Sequence, residues 1–296
     1  MLTHLNTMET KIAKKAAYSF SRVLKLTGCV LGIIATTGSA QTTITSGADT
    51  NTEIQRPARD DQPSLQLIQN YFAVTGGRPA HVDLKNVVAT GTMKEAGQIK
   101  TFHIIETLDG RRQITYTWRV SGRPHKKVYS FDGVTVWSQE LLPRERPANI
   151  VAGPEATHFK RQRWFIQPFI VPLRADFVFI YQGPGNVAGR PAHVVVGYGK
   201  GNERTWFYFD QESFLITRWG GLGPVAGTLR YLDYRATRFS NVGGILLPKE
   251  IDLLVDNGAF GSITFDSIKT NQDVDMSIFF MPPDTLPLLR QRPAGQ

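Results

Sequence analysis

The chain has 296 residues, with 34 Lys/Arg against 25 Asp/Glu (formal net charge +9), 41% hydrophobic residues and a single cysteine. That is enough apolar sequence for one sizeable core, while the lone Cys29 excludes a disulfide framework and a thiolate metal site. The modest positive surplus favours anionic headgroups or acidic glycans over a dedicated nucleic-acid role.

The N-terminus predicts export. Lys11, Lys14, Lys15, Arg22 and Lys25 precede an apolar run from Leu26 to Ala35, and Gly38 and Ala40 stand at the positions a signal peptidase reads. The run is shorter than the ~20 residues that span a bilayer, so cleavage after Ala40 is expected rather than a retained anchor. Leu26-Thr27-Gly28-Cys29 spells a lipobox, but its apolar run follows the cysteine, which argues against a lipid anchor at Cys29. The first forty residues hold five Lys/Arg and one Glu, so the mature chain would carry +5 and no cysteine.

Residues 41–62 are rich in Thr, Asp, Asn and Gln and read as a flexible leader, with Asp60-Asp61 as solvated charge. A helix is predicted from Pro63 to Val74, stopped by Gly76-Gly77. Leu65, Ile68 and Phe72 recur at helical spacing, with Leu67 and Tyr71 beside them. The period then changes from 3.6 to 2, most clearly in Ile114-Thr-Tyr116-Thr-Trp118-Arg-Val120. Strands are expected near 84–93, 99–107, 126–131 and 134–139, with tight turns at Asp109-Gly110 and Asp132-Gly133, which implies an antiparallel meander.

Residues 153–173 interrupt the meander. Glu155 to Phe165 can be helical until Pro168 and Pro172 break the pattern. Strands resume near 176–182, 191–199, 204–209, 213–219, 226–238, 247–256 and 259–270. About a dozen strands and two helical insertions result, a sheet large enough to curl into an open or closed barrel. Residues 284–296 read as a loose tail. The glycine stretches from Gly183 and from Gly221 leave no room for a phosphate-binding helix and read as hairpin loops.

In this order the pieces resemble the LolA-like superfamily of lipoprotein-sorting proteins. The residues that carry the likeness are the helix ending near Gly76-Gly77, Val87-Val-Ala-Thr-Gly91-Thr-Met93, Arg111-Arg112, and Phe131-Asp132-Gly133 with Trp137. They continue with Gly189-Arg-Pro-Ala-His-Val-Val-Val196, Trp206-Phe-Tyr-Phe-Asp210, Asp233-Tyr234, Leu247-Pro248-Lys-Glu-Ile251 and Phe280-Met-Pro282. The likeness spans roughly residues 63 to 283. It implies a mostly β (α+β) domain over 63–283: a strongly curved antiparallel half-barrel of about a dozen strands with two short helical lid segments over an apolar concave face. It also implies a buried lid-locking Arg, for which Arg112 is the candidate.

Alternation nominates Phe102, Ile104, Tyr116, Trp118, Tyr129, Trp137, Val194, Val196 and Tyr208 as ligand-binding, with Trp206 on similar grounds. Leu65, Ile68, Phe72, Trp164, Phe165 and Phe169 would form the lid. Ordinary core packing is the competing reading for each. Lys160, Arg161 and Arg163 beside Trp164-Phe165 suggest transient contact with an anionic membrane surface, or a solvated helix face. The histidines are scattered without an HExxH, no Gly-x-Ser-x-Gly elbow occurs, and neither a metal, a cofactor nor a catalytic residue is nominated. The expectation is a periplasmic, non-enzymatic binder of a lipid, lipoprotein acyl chain or other hydrophobic ligand. An envelope regulatory or scaffold protein sensing a partner protein is one alternative, and a hydrolase on the same scaffold is another.

Overall fold

The computed structural model describes residues 56–170, 173–200 and 203–283. The expected signal sequence, most of the expected leader and the expected loose tail 284–296 lie outside the described residues. Thirteen strands are formed: β1 (Asn86–Glu95), β2 (Gln98–Thr107), β3 (Arg112–Val120), β4 (Arg123–Phe131), β5 (Val136–Leu142), β6 (Asn149–Val151), β7 (Val178–Val187), β8 (Arg190–Tyr198), β9 (Arg204–Asp210), β10 (Ile216–Val225), β11 (Thr228–Val242), β12 (Ile245–Val255) and β13 (Gly258–Thr270). They make one antiparallel sheet that does not close on itself. Helices are few among the described residues: α1 (Gln62–Val74), α2 (Arg78–Val82) and α3 (Gly153–Arg161).

The strand order is β6-β5-β4-β3-β2-β1-β13-β12-β11-β10-β9-β8-β7. The first and last strands therefore meet in the middle of the sheet, with Val87 opposite Thr270 and Glu95 opposite Gly261. The two free edges, β6 and β7, are consecutive in sequence. Of the segment joining them, residues 156–170 lie over the concave face, where Ala156, Phe159, Trp164, Phe165, Ile166, Phe169 and Ile170 enter the core cluster. Two-residue turns make six of the other connections: β1–β2, β3–β4, β7–β8, β10–β11, β11–β12 and β12–β13. Ala188-Gly189 and Ala226-Gly227 both have positive φ at each residue, the geometry that matches strand twist. The glycine stretches just before them are thus not the loops the sequence suggested: Gly183 and Gly185 lie within β7, and Gly221 and Gly223 within β10.

Helix α1 starts where Asp61 accepts the Ser64 N–H at 2.9 Å and Pro63 enters the first turn. Leu67, Ile68, Tyr71 and Phe72 are buried, whereas Leu65 sits half-buried at the margin of that face. Asp60 and Asp61 are not solvated charge: Asp60 Oδ1 accepts the Phe179 N–H (2.7 Å) and Asp61 Oδ2 the Tyr181 N–H (2.9 Å). An edge strand presents amides without a ladder partner, and these carboxylates satisfy two of them while fastening α1 to β7. The helix ends at Thr75, and at Gly76 (φ +119°) a Cβ would come within 2.2 Å of the Gly244 carbonyl oxygen. Only glycine fits there.

The second predicted helix is shorter than expected. It stops at Arg161 instead of running to Phe165, because the next amides are held by a side chain and not by helix carbonyls.

Candidate functional site

The site is the hollow of the sheet and the segment that fills it. Trp164, Phe165, Ile166, Phe169 and Ile170 are almost fully buried in the main core cluster. Their rings touch both flanks of the sheet. Trp164 lies edge-on to Phe102 (5.3 Å between centroids) and Phe165 meets Phe265 (4.8 Å). At the other end Phe169 packs on Tyr71 (5.4 Å) and Phe207 (5.8 Å). Residues 162–170 are thus an irregular apolar plug, flanked by α1 on one side and α3 on the other. They leave little free volume: a gap of about 20 Å³ beneath Trp219 and Tyr234 is room for roughly one water.

Irregular backbone in an apolar interior needs partners for its amides. Here one carboxylate supplies them. Glu106 Oε1 accepts the Trp164 N–H (3.0 Å), and Oε2 accepts those of Phe165 (3.1 Å) and Ile166 (3.1 Å). Glu106 stands at the end of β2 directly opposite Arg112 on β3, and the Arg112 Nε lies 3.4 Å from its Oε1. Both side chains are essentially inaccessible to solvent. The Arg112 guanidinium is sandwiched between the rings of Phe159 (4.8 Å) and Trp164 (5.2 Å), and Nη1 donates to the Phe159 carbonyl at 3.3 Å. The candidate lid-locking arginine therefore touches α3, the plug and the sheet at once.

Arg163 adds a second tie. It is buried and donates to the Gly110 carbonyl, while its own carbonyl accepts the Trp219 indole N–H at 2.9 Å. Burial pushes its pKa down to about 10, with the Glu106 carboxylate opposing that shift. Arg112 Nη2, Arg163 Nη1, Trp164 Nε1 and Gln167 Oε1 are buried without a hydrogen-bond partner.

The nominated residues divide by face. Phe102 and Ile104 are buried in the core cluster, and Tyr116 and Tyr129 pack against it half-buried. Burial pushes the phenols of Tyr116, Tyr129 and Tyr234 above the ordinary tyrosine range, so they remain neutral donors. Ile68, Phe72, Trp164, Phe165 and Phe169 sit in the same cluster, with Leu65 at its margin. Trp118 is half-buried near the sheet's end, stacked on His125.

Four residues face the other way. Val194 pairs with Tyr208 and Val196 with Trp206, whereas Val195 and Phe207, paired with each other, enter the core cluster. The alternation on β8 and β9 was read one residue out of phase, because apolar side chains occupy both faces there. Trp137 also lies on the convex side: its indole donates to the Phe279 carbonyl at 2.7 Å, under the turn formed by Met276–Phe279. The basic run is likewise split. Lys160 is exposed over the Phe131 ring, Arg161 donates to the carbonyls of Thr157, Arg204 and Leu222, and Arg163 is inside.

Glu106 went unnoticed in the sequence. Its signal is the register of the Asp109-Gly110 hairpin, which sets Glu106 opposite Arg112 inside an otherwise apolar strand end.

No family model matches the chain, and no curated protein matches it. Solved structures do. A DUF1329 family protein from Desulfovibrio piger aligns at 12% identity and TM-score 0.50, covering 74% of this chain and 98% of that one. A putative outer membrane lipoprotein-sorting protein domain from Vibrio parahaemolyticus aligns at 11% identity and TM-score 0.48, with coverages of 73% and 96%. A LolA superfamily protein from Nitrosomonas europaea aligns at 12% and 0.48, with 73% and 97%. The chain shares the fold of the DUF1329 family protein. At such identities the likeness is one of architecture and leaves activity open.

Proposed function

We propose that the protein is an exported, periplasmic carrier that holds an acyl chain of a lipid or lipoprotein between the concave sheet and its helical lid, without catalysis. The observation that carries this reading is that an inserted segment, residues 162–170, occupies the hollow among the sheet's inward side chains. The sheet does not close on itself, and the polar seat of the plug is the Glu106–Arg112 pair with three amides, joined by the hydrogen bonds of Arg163.

The magnitudes are compatible with exchange. Five large apolar side chains in the plug are worth roughly 8–15 kcal/mol of burial. An acyl chain of about fifteen methylenes gains about 12 kcal/mol at ~0.8 kcal/mol each. A lipid tail could therefore replace the plug at little net cost. The buried donors left without partners weaken the closed seat further, at ~1–3 kcal/mol apiece. Entry would be at the mouth between the two flanks, where a cleft of about 430 Å³ is lined by Phe131, Lys160, Arg163, Pro168, Phe177 and Glu203. Arg112, released from Phe159 and Trp164, would present its charge to an ester or carboxylate at the head of the chain.

Native mass spectrometry of protein purified from its own envelope without detergent is expected to show an acyl-lipid adduct. Adding that lipid should then speed hydrogen exchange at the amides of Trp164, Phe165 and Ile166. An adduct-free protein whose plug amides stay protected in the presence of acyl lipids would sink the proposal.

A further inference from the structure

We infer a second site, on the sheet's outer end: the adjoining tips of the β1–β2 and β3–β4 hairpins dock on the surface of an anionic lipid bilayer. Between Asp109 and Asp132 the chain has six Lys/Arg and no carboxylate. Arg111 and Arg112 are matched by Asp109 and Glu106. The other four, Arg119, Arg123, Lys126 and Lys127, make no salt bridge among the described residues. Arg119 is held only by the Gly122 carbonyl at 2.9 Å, and the Lys127 ammonium rests 4.4 Å from the Tyr129 ring centroid. Glu155 lies beside the Tyr129 hydroxyl, and two other neighbouring carboxylates are already neutralised. Glu95 pairs with Lys100 (2.9 Å), and Glu140, opposite Lys127, pairs with Arg146 (3.1 Å).

Apolar groups stand among these charges. Ile99 is 60% exposed and Val120 44%. Val120 pairs with Arg123 across the β3–β4 ladder, and Ile99 adjoins Lys100, which pairs with Trp118. With Thr101, Thr117, Trp118 and Pro124, Ile99 and Val120 line an open cleft of about 730 Å³. Trp118 is stacked on His125 (5.3 Å) with the Lys100 ammonium 6.0 Å from its ring.

Charge complementarity decides the occupant. Unpaired cations around protruding aliphatic groups and a half-buried tryptophan suit an interface with acidic headgroups outside and hydrocarbon beneath. A phosphate-tracking nucleic-acid groove would lack use for Ile99 and Val120, and a buried protein interface would leave four cations to be matched one by one. Of the basic run at Lys160–Arg163, the sequence's own candidate for this contact, Arg161 is spent on carbonyls and Arg163 is buried, which leaves only Lys160 exposed. The inference stands apart from the acyl-carrier reading, since nothing in it requires the plug to move.

The test is co-sedimentation of the full mature chain with vesicles of phosphatidylcholine alone or mixed with phosphatidylglycerol, scored by protein recovered. Wild type should pellet with the mixed vesicles only and be released by salt. Arg123→Glu/Lys126→Glu/Lys127→Glu should bind on the order of a hundredfold more weakly. Ile99→Asp/Val120→Asp should weaken binding too, with an unchanged melting temperature in both variants, because these side chains lie outside the core. Equal recovery on both vesicle types overturns the inference, as does undiminished binding of the charge-reversed variant. Binding of a soluble acidic protein or polynucleotide by the hairpins, with vesicles ignored, overturns it as well. A protein with an empty hollow that still pellets with anionic vesicles would uphold this site while the carrier reading fails.

Discussion

Glu106 does two tasks with one side chain, and this sets the consequence of altering it. Glu106→Gln removes the charge opposite Arg112 while leaving the guanidinium buried. Breaking a buried pair from one side costs about 3–5 kcal/mol, so the urea midpoint should fall accordingly. Replacing both partners by apolar residues should not restore stability, as it often does for simple buried pairs. The three plug amides would still need an acceptor. His81 gives a second prediction. Thr75 Oγ1 donates to the Tyr71 carbonyl (2.7 Å), so the His81 Nε2 at 2.8 Å must be the donor to Thr75, leaving Nδ1 bare and buried without a partner. Protonation of Nδ1 has no acceptor to meet, and burial lowers the pKa to about 4 from 6.5. The folded state therefore binds the proton less readily than the unfolded one. Its contribution is complete above about pH 6.5 and is lost progressively as pH falls toward 4. A His81→Gln variant should show a flatter stability profile over that interval in chemical denaturation.

The elements explain what the sequence could and could not disclose. Helix α1, the hairpins at Asp109-Gly110 and Asp132-Gly133, and most strands follow from period and turn chemistry, which act over a few residues. Face assignment on β8 and β9 did not follow, because Val194, Val195 and Val196 are chemically alike and only the neighbouring strands decide which points inward. The plug was legible as an aromatic insertion, yet its non-helical backbone depends on a carboxylate some sixty residues away in sequence. Helix α3 is seated by another distant feature: a Cβ on Gly223 would lie 2.6 Å from His158 Nδ1. At this scale Trp164→Ala is the informative change. It should cost about 3–5 kcal/mol through the cavity it leaves. The same cavity should raise the affinity for a small apolar fluorescent probe, measured by titration. Unaltered probe binding in a folded variant would mean the vacated space collapses.

For the molecule as a whole, the convex side carries a second, smaller packing layer. Phe279 is fully buried there, and its carbonyl accepts from both Ser130 Oγ (3.1 Å) and Trp137 Nε1 (2.7 Å). Gln113 reaches the neighbouring Ile278 carbonyl at 2.5 Å. The C-terminal turn is thus a strap over β3, β4 and β5. A chain ending at Val274 should keep its sheet but expose Trp137, seen as a red shift and greater quenching of tryptophan emission. Pairing β1 with β13 joins the two ends of the domain, so contacts of very large sequence separation must form. Refolding is expected on a scale of milliseconds to seconds or slower in stopped-flow measurements, in the range of all-β folds.

The meeting of β1 and β13 at mid-sheet has one more result. It makes that ladder the spine of an open book, with β6 and β7 as the fore-edges of its covers and residues 156–170 as the clasp between them. Lifting the clasp would let the covers lean apart by small adjustments of twist, without severing any rung along the spine. On the proposed carrier reading, guests of different girth could then share one trough, the tether alone limiting how wide the pages swing.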